Sequence, residues 1–221
     1  MMKPPYWTRL VLTGASVSML VGCAAAAPDP SALKSDADIA IAAATTPDDR
    51  DPAHRARAAA LDFSGQLRGT LQQAMQSGGP EAAVEVCASA APRLAAQVMH
   101  EHGVRLGRVA LPGRNRNPRQ AADGWQLGAL REFQAAVQQG GAAAEQVMVQ
   151  REGLPEGVAL RMIRGIATEP GCLSCHGVAV APSVREAIAR HYPGDAATGF
   201  EAGDLRGALW VEVPLAVDAQ D

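Results

Sequence analysis

The sequence predicts an α+β domain in which leading helices pack on a largely antiparallel sheet. Three observations carry this. Apolar residues recur at helical spacing over 58–100, the period changes to two from residue 104 onward, and a last alternating stretch closes the domain near residue 216. Ala60, Phe63, Leu67, Leu71 and Ala74 mark the inner face of a first helix over 58–75. Val84, Cys87, Ala91, Leu94 and Val98 mark a second over 80–100, which places Cys87 on its inward side. Ser77-Gly78-Gly79-Pro80 separates the two, with Pro80 suited to a first helical turn. Pro92 removes an amide donor from the second helix, so a kink or break is expected just after Cys87.

Beyond the helices, Val104, Leu106, Arg108 and Ala110 alternate with Arg105, Gly107, Val109 and Leu111, as in a strand. Residues 146–150 and 158–167 read as two further strands, joined by a hairpin loop over 151–157 that contains Gly153 and Pro155. A helix is expected over 123–139, with Trp125, Leu127, Leu130 and Phe133 among its apolar residues, and another over 182–192 with Val184, Ile188 and Tyr192 on one side. Leu209, Val211, Val213 and Leu215 share one face opposite Trp210 and Glu212, which predicts a half-buried closing strand.

The N-terminus reads as an export signal. Lys3 and Arg9 precede a mostly apolar run over 10–21 that is too short to span a bilayer comfortably, and Leu20-Val21-Gly22-Cys23 follows. This resembles the lipobox of bacterial lipoproteins. It predicts a signal peptide over 1–22, lipidation of Cys23, and, since Ala24 rather than Asp follows, sorting to the periplasmic side of the outer membrane. The Ala-, Pro- and Asp-rich stretch over 23–51 reads as a disordered tether, 52–216 as the domain and 217–221 as a tail. The formal net charge is −3, and residues 1–22 hold two cations and no acid. The remainder is therefore still more acidic, and neither nucleic acid nor an anionic lipid surface is an expected partner.

Cys172-Leu173-Ser174-Cys175-His176 carries the chemistry. Two thiols one turn apart can add to the two vinyl groups of haem, and the adjacent imidazole can then ligate the iron, so the motif predicts one covalently bound haem c with His176 as an axial ligand. Two alternatives use the same residues. Zinc could recruit Cys172, Cys175 and Cys87 with a His, although neighbours such as Cys175 and His176 rarely both reach one tetrahedral ion. A thiol redox pair would need a strand-to-helix setting, whereas Pro170-Gly171 and Gly177 suggest a loop.

With Cys23 assigned to lipid and Cys172 and Cys175 to haem, Cys87 is left over. It is either a small buried hydrophobe or a sulfur used in chemistry. Met148 and Met162 fall in strand patterns that suit core packing, though either could serve as a sixth ligand. His100 and His102 read as solvated surface. Arg114, Arg116 and Arg206 are cations able to meet haem propionates, Arg116 being the chosen candidate. Aromatic residues are scarce after the signal, which suits a core partly filled by a cofactor.

Several stretches together resemble a family of bacterial periplasmic c-type haem domains of unknown function with a PAS-like fold. They are Ala83-Val84-Glu85-Val86-Cys87 with Ala91-Pro92, Arg116-Asn117-Pro118 followed by Asp123 and Trp125, the Cys172–Gly177 motif, Tyr192-Pro193, and Gly199, Gly203-Asp204 and Arg206-Gly207. Gln120, Ala122 and Gln126 depart from the family pattern. The resemblance implies a haem between sheet and helices, with His176 on one side of the iron and Cys87 on the other. Beyond haem binding, electron transfer or redox and gas sensing is expected rather than catalysis, with an unidentified redox or signalling protein as partner because no output module is recognisable in the chain. A peroxidase-type enzyme is the alternative, for which no distal acid or base is evident.

Overall fold

The computed structural model describes residues 51–215. The expected signal peptide, Cys23, all of the 23–51 tether but its last residue, and the 217–221 tail lie outside the described residues. Helix α1 runs from Pro52 to Glu85, beginning where the Asp51 side chain accepts the Ala53 N–H at 3.0 Å. Its buried stripe, Ala53, Ala56, Ala60, Phe63 and Leu67, follows the three-and-four spacing of an amphipathic helix. The small alanines allow its backbone to lie close to the sheet. The helix therefore starts earlier than the expected residue 58.

Two breaks interrupt the helical path beyond this stripe. Gly79 has φ 72 and ψ −167, a conformation open to glycine, and Pro80 restarts the helix as the sequence leads one to expect. A π-helical turn then spans Val86–Ala90, closed by the Ala91 N–H on the Val86 carbonyl, before helix α2 continues over Ala91–His102. The Pro92 ring would crowd the carbonyl four residues back, at Ala88, and widening the turn relieves that crowding. The extra residue also rotates the helix face. Val84 thus packs in a cluster with Val180, Val184, Ala187 and Ile188, while Ala91 and Val98 pack with α1 and the sheet. The single stripe expected over 84–98 is split between two cores, and Cys87 sits at the join.

Four antiparallel strands form the sheet: β1 (Arg105–Val109), β2 (Val147–Gln150), β3 (Val158–Ala167) and β4 (Leu205–Pro214), in the spatial order β1-β4-β3-β2. Leu106, Leu160, Met162, Leu209, Val211 and Val213 face α1 and α2. Val109, Ile163 and Ala208 face helix α3 (Gly124–Gln138), which contributes Leu130 and Phe133. Both faces are thus covered. This corrects the half-buried closing strand expected from the sequence, since β4 is central and Leu215 lies exposed beyond it. Trp210 packs toward α3 opposite Gly107, whose lack of a side chain admits the indole. Glu212 is buried and takes Arg105 and Arg161 each at 2.7 Å, with the Arg161 guanidinium stacked 4.8 Å from the Trp125 ring centroid. The chain's entry and exit are held near one another: Arg55 donates to the Pro214 carbonyl at 3.1 Å, and Asp51 lies 3.5 Å from Arg151.

The motif after β3 is helical rather than a loop, with a 3₁₀ turn over Pro170–Cys172 leading into the one-turn helix α4 (Leu173–His176). Helix α5 (Pro182–His191) comes next and packs against α1 beyond its kink through the Val84 cluster. His102 is also not simply solvated; its Nε2 pairs with Asp62 at 3.0 Å.

Candidate functional site

The sheet ends before α1 does. Past Leu67 the same helix contributes Arg68, Leu71 and Met75 to the wall of a cavity of about 590 Å³, within the roughly 300–1,000 Å³ typical of ligand sites. The C-terminal ends of β1 and β3, the start of β4, the 114–120 loop and the motif complete the wall. Cys172, Cys175 and His176 all line it, and Cys87 does so from the π-helical turn. The structure thus brings the sequence-distant Cys87 to the same cavity as the motif. Arg116 and Arg206 also line it.

Local geometry fixes the motif. Cys172 and Cys175 are three residues apart on consecutive helical turns, which turns both sulfurs toward one side. Gly177 donates to the Leu173 carbonyl at 2.9 Å, and a Cβ there would lie 2.6 Å from that oxygen, so only glycine closes the turn this tightly. The 195–200 segment then straps the histidine. His176 Nδ1 lies 2.7 Å from the Ala197 carbonyl, the Phe200 N–H donates to the His176 carbonyl at 3.0 Å, and the Phe200 ring meets the imidazole edge-on. A carbonyl only accepts, so Nδ1 carries the proton and Nε2 presents its lone pair to the cavity.

Arg116 holds the strap in place. It is buried, only 8% exposed, and its guanidinium donates to Asp195 at 3.1 Å and to the Cys175 carbonyl at 2.6 Å. Asp195 in turn accepts the Ala197 N–H at 2.9 Å. One cation therefore ties the motif to the segment that orients His176. Arg206 approaches from β4, with Nη1 3.3 Å from His176 Nε2.

Electrostatics follow from this enclosure. Burial, then the Arg206 and Arg116 cations, depress the His176 pKa from 6.5 to about 2, which keeps the imidazole neutral and its lone pair available. Burial raises the Cys175 thiol pKa, the opposite of what a reactive dithiol needs. Among the described residues no three His, Cys, Asp or Glu side chains are grouped so as to hold one metal ion, so the zinc reading of Cys87, Cys172 and Cys175 finds no geometry.

Met148 and Met162 pack in the two cores away from the cavity. Met75 and Tyr192, which periodicity alone would assign to a helix face and a helix end, do line it, as does Arg108. Arg108 sits on the same strand face as the core residue Leu106, and a charge at an inward position was the available signal. His191 instead pairs with Glu85 at 3.0 Å.

The fold and site define an α+β domain whose Cys-x-x-Cys-His turn and the cysteine of the π-helical turn converge on one cavity. The chain belongs to the Tll0287-like family, whose profile matches residues 37–214. Among solved structures, it is similar to the cyanobacterial heme-protein Tll0287, with 29% identity, a TM-score of 0.46, and coverage of 57% of this chain and 71% of that one. No curated protein matches it.

The neutral His176 makes stability depend on pH in the haem-free protein. Between about pH 2 and 6.5 the unfolded chain binds a proton at this residue that the folded chain does not, so stability falls as pH drops below 6.5. The loss is at most about 1.4 kcal/mol per pH unit. Urea unfolding at pH 7.5 and 5 should show the decline, and His176→Asn should reduce it. An unchanged slope in that variant would refute the assignment.

Proposed function

We propose that the chain holds one haem c in this cavity, with thioethers from Cys172 and Cys175, His176 Nε2 on one side of the iron and the Cys87 sulfur on the other. It acts, on this reading, in periplasmic electron transfer or redox and gas sensing, as a cytochrome-like lipoprotein with a PAS-like fold. The observation that carries it is the His176 tautomer: Nδ1–H is spent on the Ala197 carbonyl and the Nε2 lone pair faces a cavity lined by both motif cysteines. Membership in a family that takes its name from a heme-protein supports the same cofactor.

Bound there, haem supplies a one-electron iron couple. The residues do the rest. The backbone carbonyl on Nδ1 increases the donor strength of His176 and holds the ring in one orientation. Coordination would stabilise an anionic Cys87 sulfur directly, and an anionic sulfur favours the ferric state. The potential should accordingly lie below that of a His/Met site. Among carboxylates, Glu169 lines the cavity but pairs with Arg68 at 3.3 Å, a poor arrangement for a peroxidase-type acid or base. One observation favours sensing over simple electron transfer. Cys87 lies in the π-helical turn itself, a few residues after the Gly79 break, so gain or loss of a bond at its sulfur would act on a stretch where the helix is already interrupted.

Protein produced with c-type maturation should keep its colour through acid extraction and denaturing electrophoresis, and the Cys172→Ala/Cys175→Ala double variant should lose it. Complete acid extraction of haem from the wild type would rule out thioethers. Electron paramagnetic resonance of ferric wild type and Cys87→Ala tests the second ligand. Different low-spin signals are expected, and identical ones would remove sulfur from the iron and leave Met75 as the methionine at the cavity.

Membrane attachment rests on the lipobox ending at Cys23; among the described residues no helix is long and apolar enough to cross a membrane. Fatty-acid labelling should mark the mature protein and should fail in Cys23→Ser. Unlabelled wild type released freely from the periplasm would count against the anchor.

A further inference from the structure

The cavity's charge is out of keeping with the chain's. The whole sequence is mildly acidic, yet the wall carries five arginines, at 68, 108, 114, 116 and 206, against the single carboxylate of Glu169. Three of the five are committed elsewhere. Arg68 pairs with Glu169, Arg116 is held by Asp195 and the Cys175 carbonyl, and Arg114 donates to the Thr198 carbonyl at 3.3 Å while stacking 3.8 Å from the Phe200 ring centroid.

Arg108 and Arg206 differ. Neither has a carboxylate partner among the described residues. Arg206 Nε is buried with no hydrogen-bond partner, and the acceptor of Nη1 is the His176 Nε2 lone pair. A metal on Nε2 would take that lone pair and repel the guanidinium. Ligation of His176 therefore takes away the one side-chain acceptor of a half-buried cation whose Nε already lacks a partner, beside a second cation, and an anion arriving with the metal would offset that.

We propose that Arg108 and Arg206 together receive the two propionate carboxylates of the haem, a reading that rests on the haem assignment above. The planar guanidinium offers paired donors that match a carboxylate in bidentate fashion, and a dianionic ligand balances the two uncommitted charges. The cofactor that removes Arg206's acceptor thus brings the replacement. Arg116, the candidate singled out from sequence, instead positions the strap.

The test uses covalently loaded protein. Resonance Raman propionate-deformation bands and the reduction potential are measured for wild type, Arg206→Gln, Arg108→Gln and Arg68→Gln. Both Arg206→Gln and Arg108→Gln should shift the propionate bands and lower the potential, because a cation beside the haem disfavours the ferric charge. Arg68→Gln, which removes a cavity cation already paired with Glu169, should leave the bands in place. Coloured Arg206→Gln and Arg108→Gln proteins with wild-type bands would overturn the arginine assignment while leaving the haem reading intact. A wild type that gains no covalent haem would overturn both.

Discussion

The buried contact of Arg116 with Asp195 and the Cys175 carbonyl is the constraint on which the site depends. Neither charge is tolerable alone in that setting, so the loop after β1 must meet the segment after α5, and both must meet α4. Once they do, the Ala197 carbonyl has one place to be, and the His176 tautomer is set by it. Three stretches far apart in sequence are thereby reduced to one rigid unit whose product is a lone pair aimed into a cavity.

The opposite wall is built with less order. Gly79 lets the chain depart from helical geometry, and the π-helical turn before Pro92 rotates the next face, so Val84 and Ala91 go to different cores. Cys87 belongs to neither. That intermediate position gives its sulfur access to the cavity, and it would not arise in a straight helix, where residues 84, 87 and 91 would share one buried stripe.

Much of this was legible in the chain. Helical spacing over 58–75 and 80–100, the period-two stretches and the glycine-bearing hairpin all gave elements close to those observed, because each reflects a local preference together with one buried face. The Cys-x-x-Cys-His stretch brings its two thiols and imidazole to one place because its spacing is itself the geometry. What escaped was non-local. The burial of both sheet faces depends on where α3 docks, which no period in β4 encodes, so Trp210 and Glu212 looked solvent-facing. Arg116 stood out as a cation for a propionate rather than as the tie that holds the strap, since its partner Asp195 lies 79 residues away. Met75 became a wall residue because α1 runs on past the stripe that packs on the sheet, which ends at Leu67, a matter of element length rather than of residue type.

The bonds that join Arg55 to the Pro214 carbonyl and Asp51 to Arg151 gather the two ends of the described chain at one end of the domain. The ends of the described chain lie where β4 finishes, whereas the cavity is lined by the start of β4, and Arg68 lies about 24 Å along α1 from Pro52 at 1.5 Å per helical residue. The two ends of the described chain therefore lie far from the cavity that holds the motif.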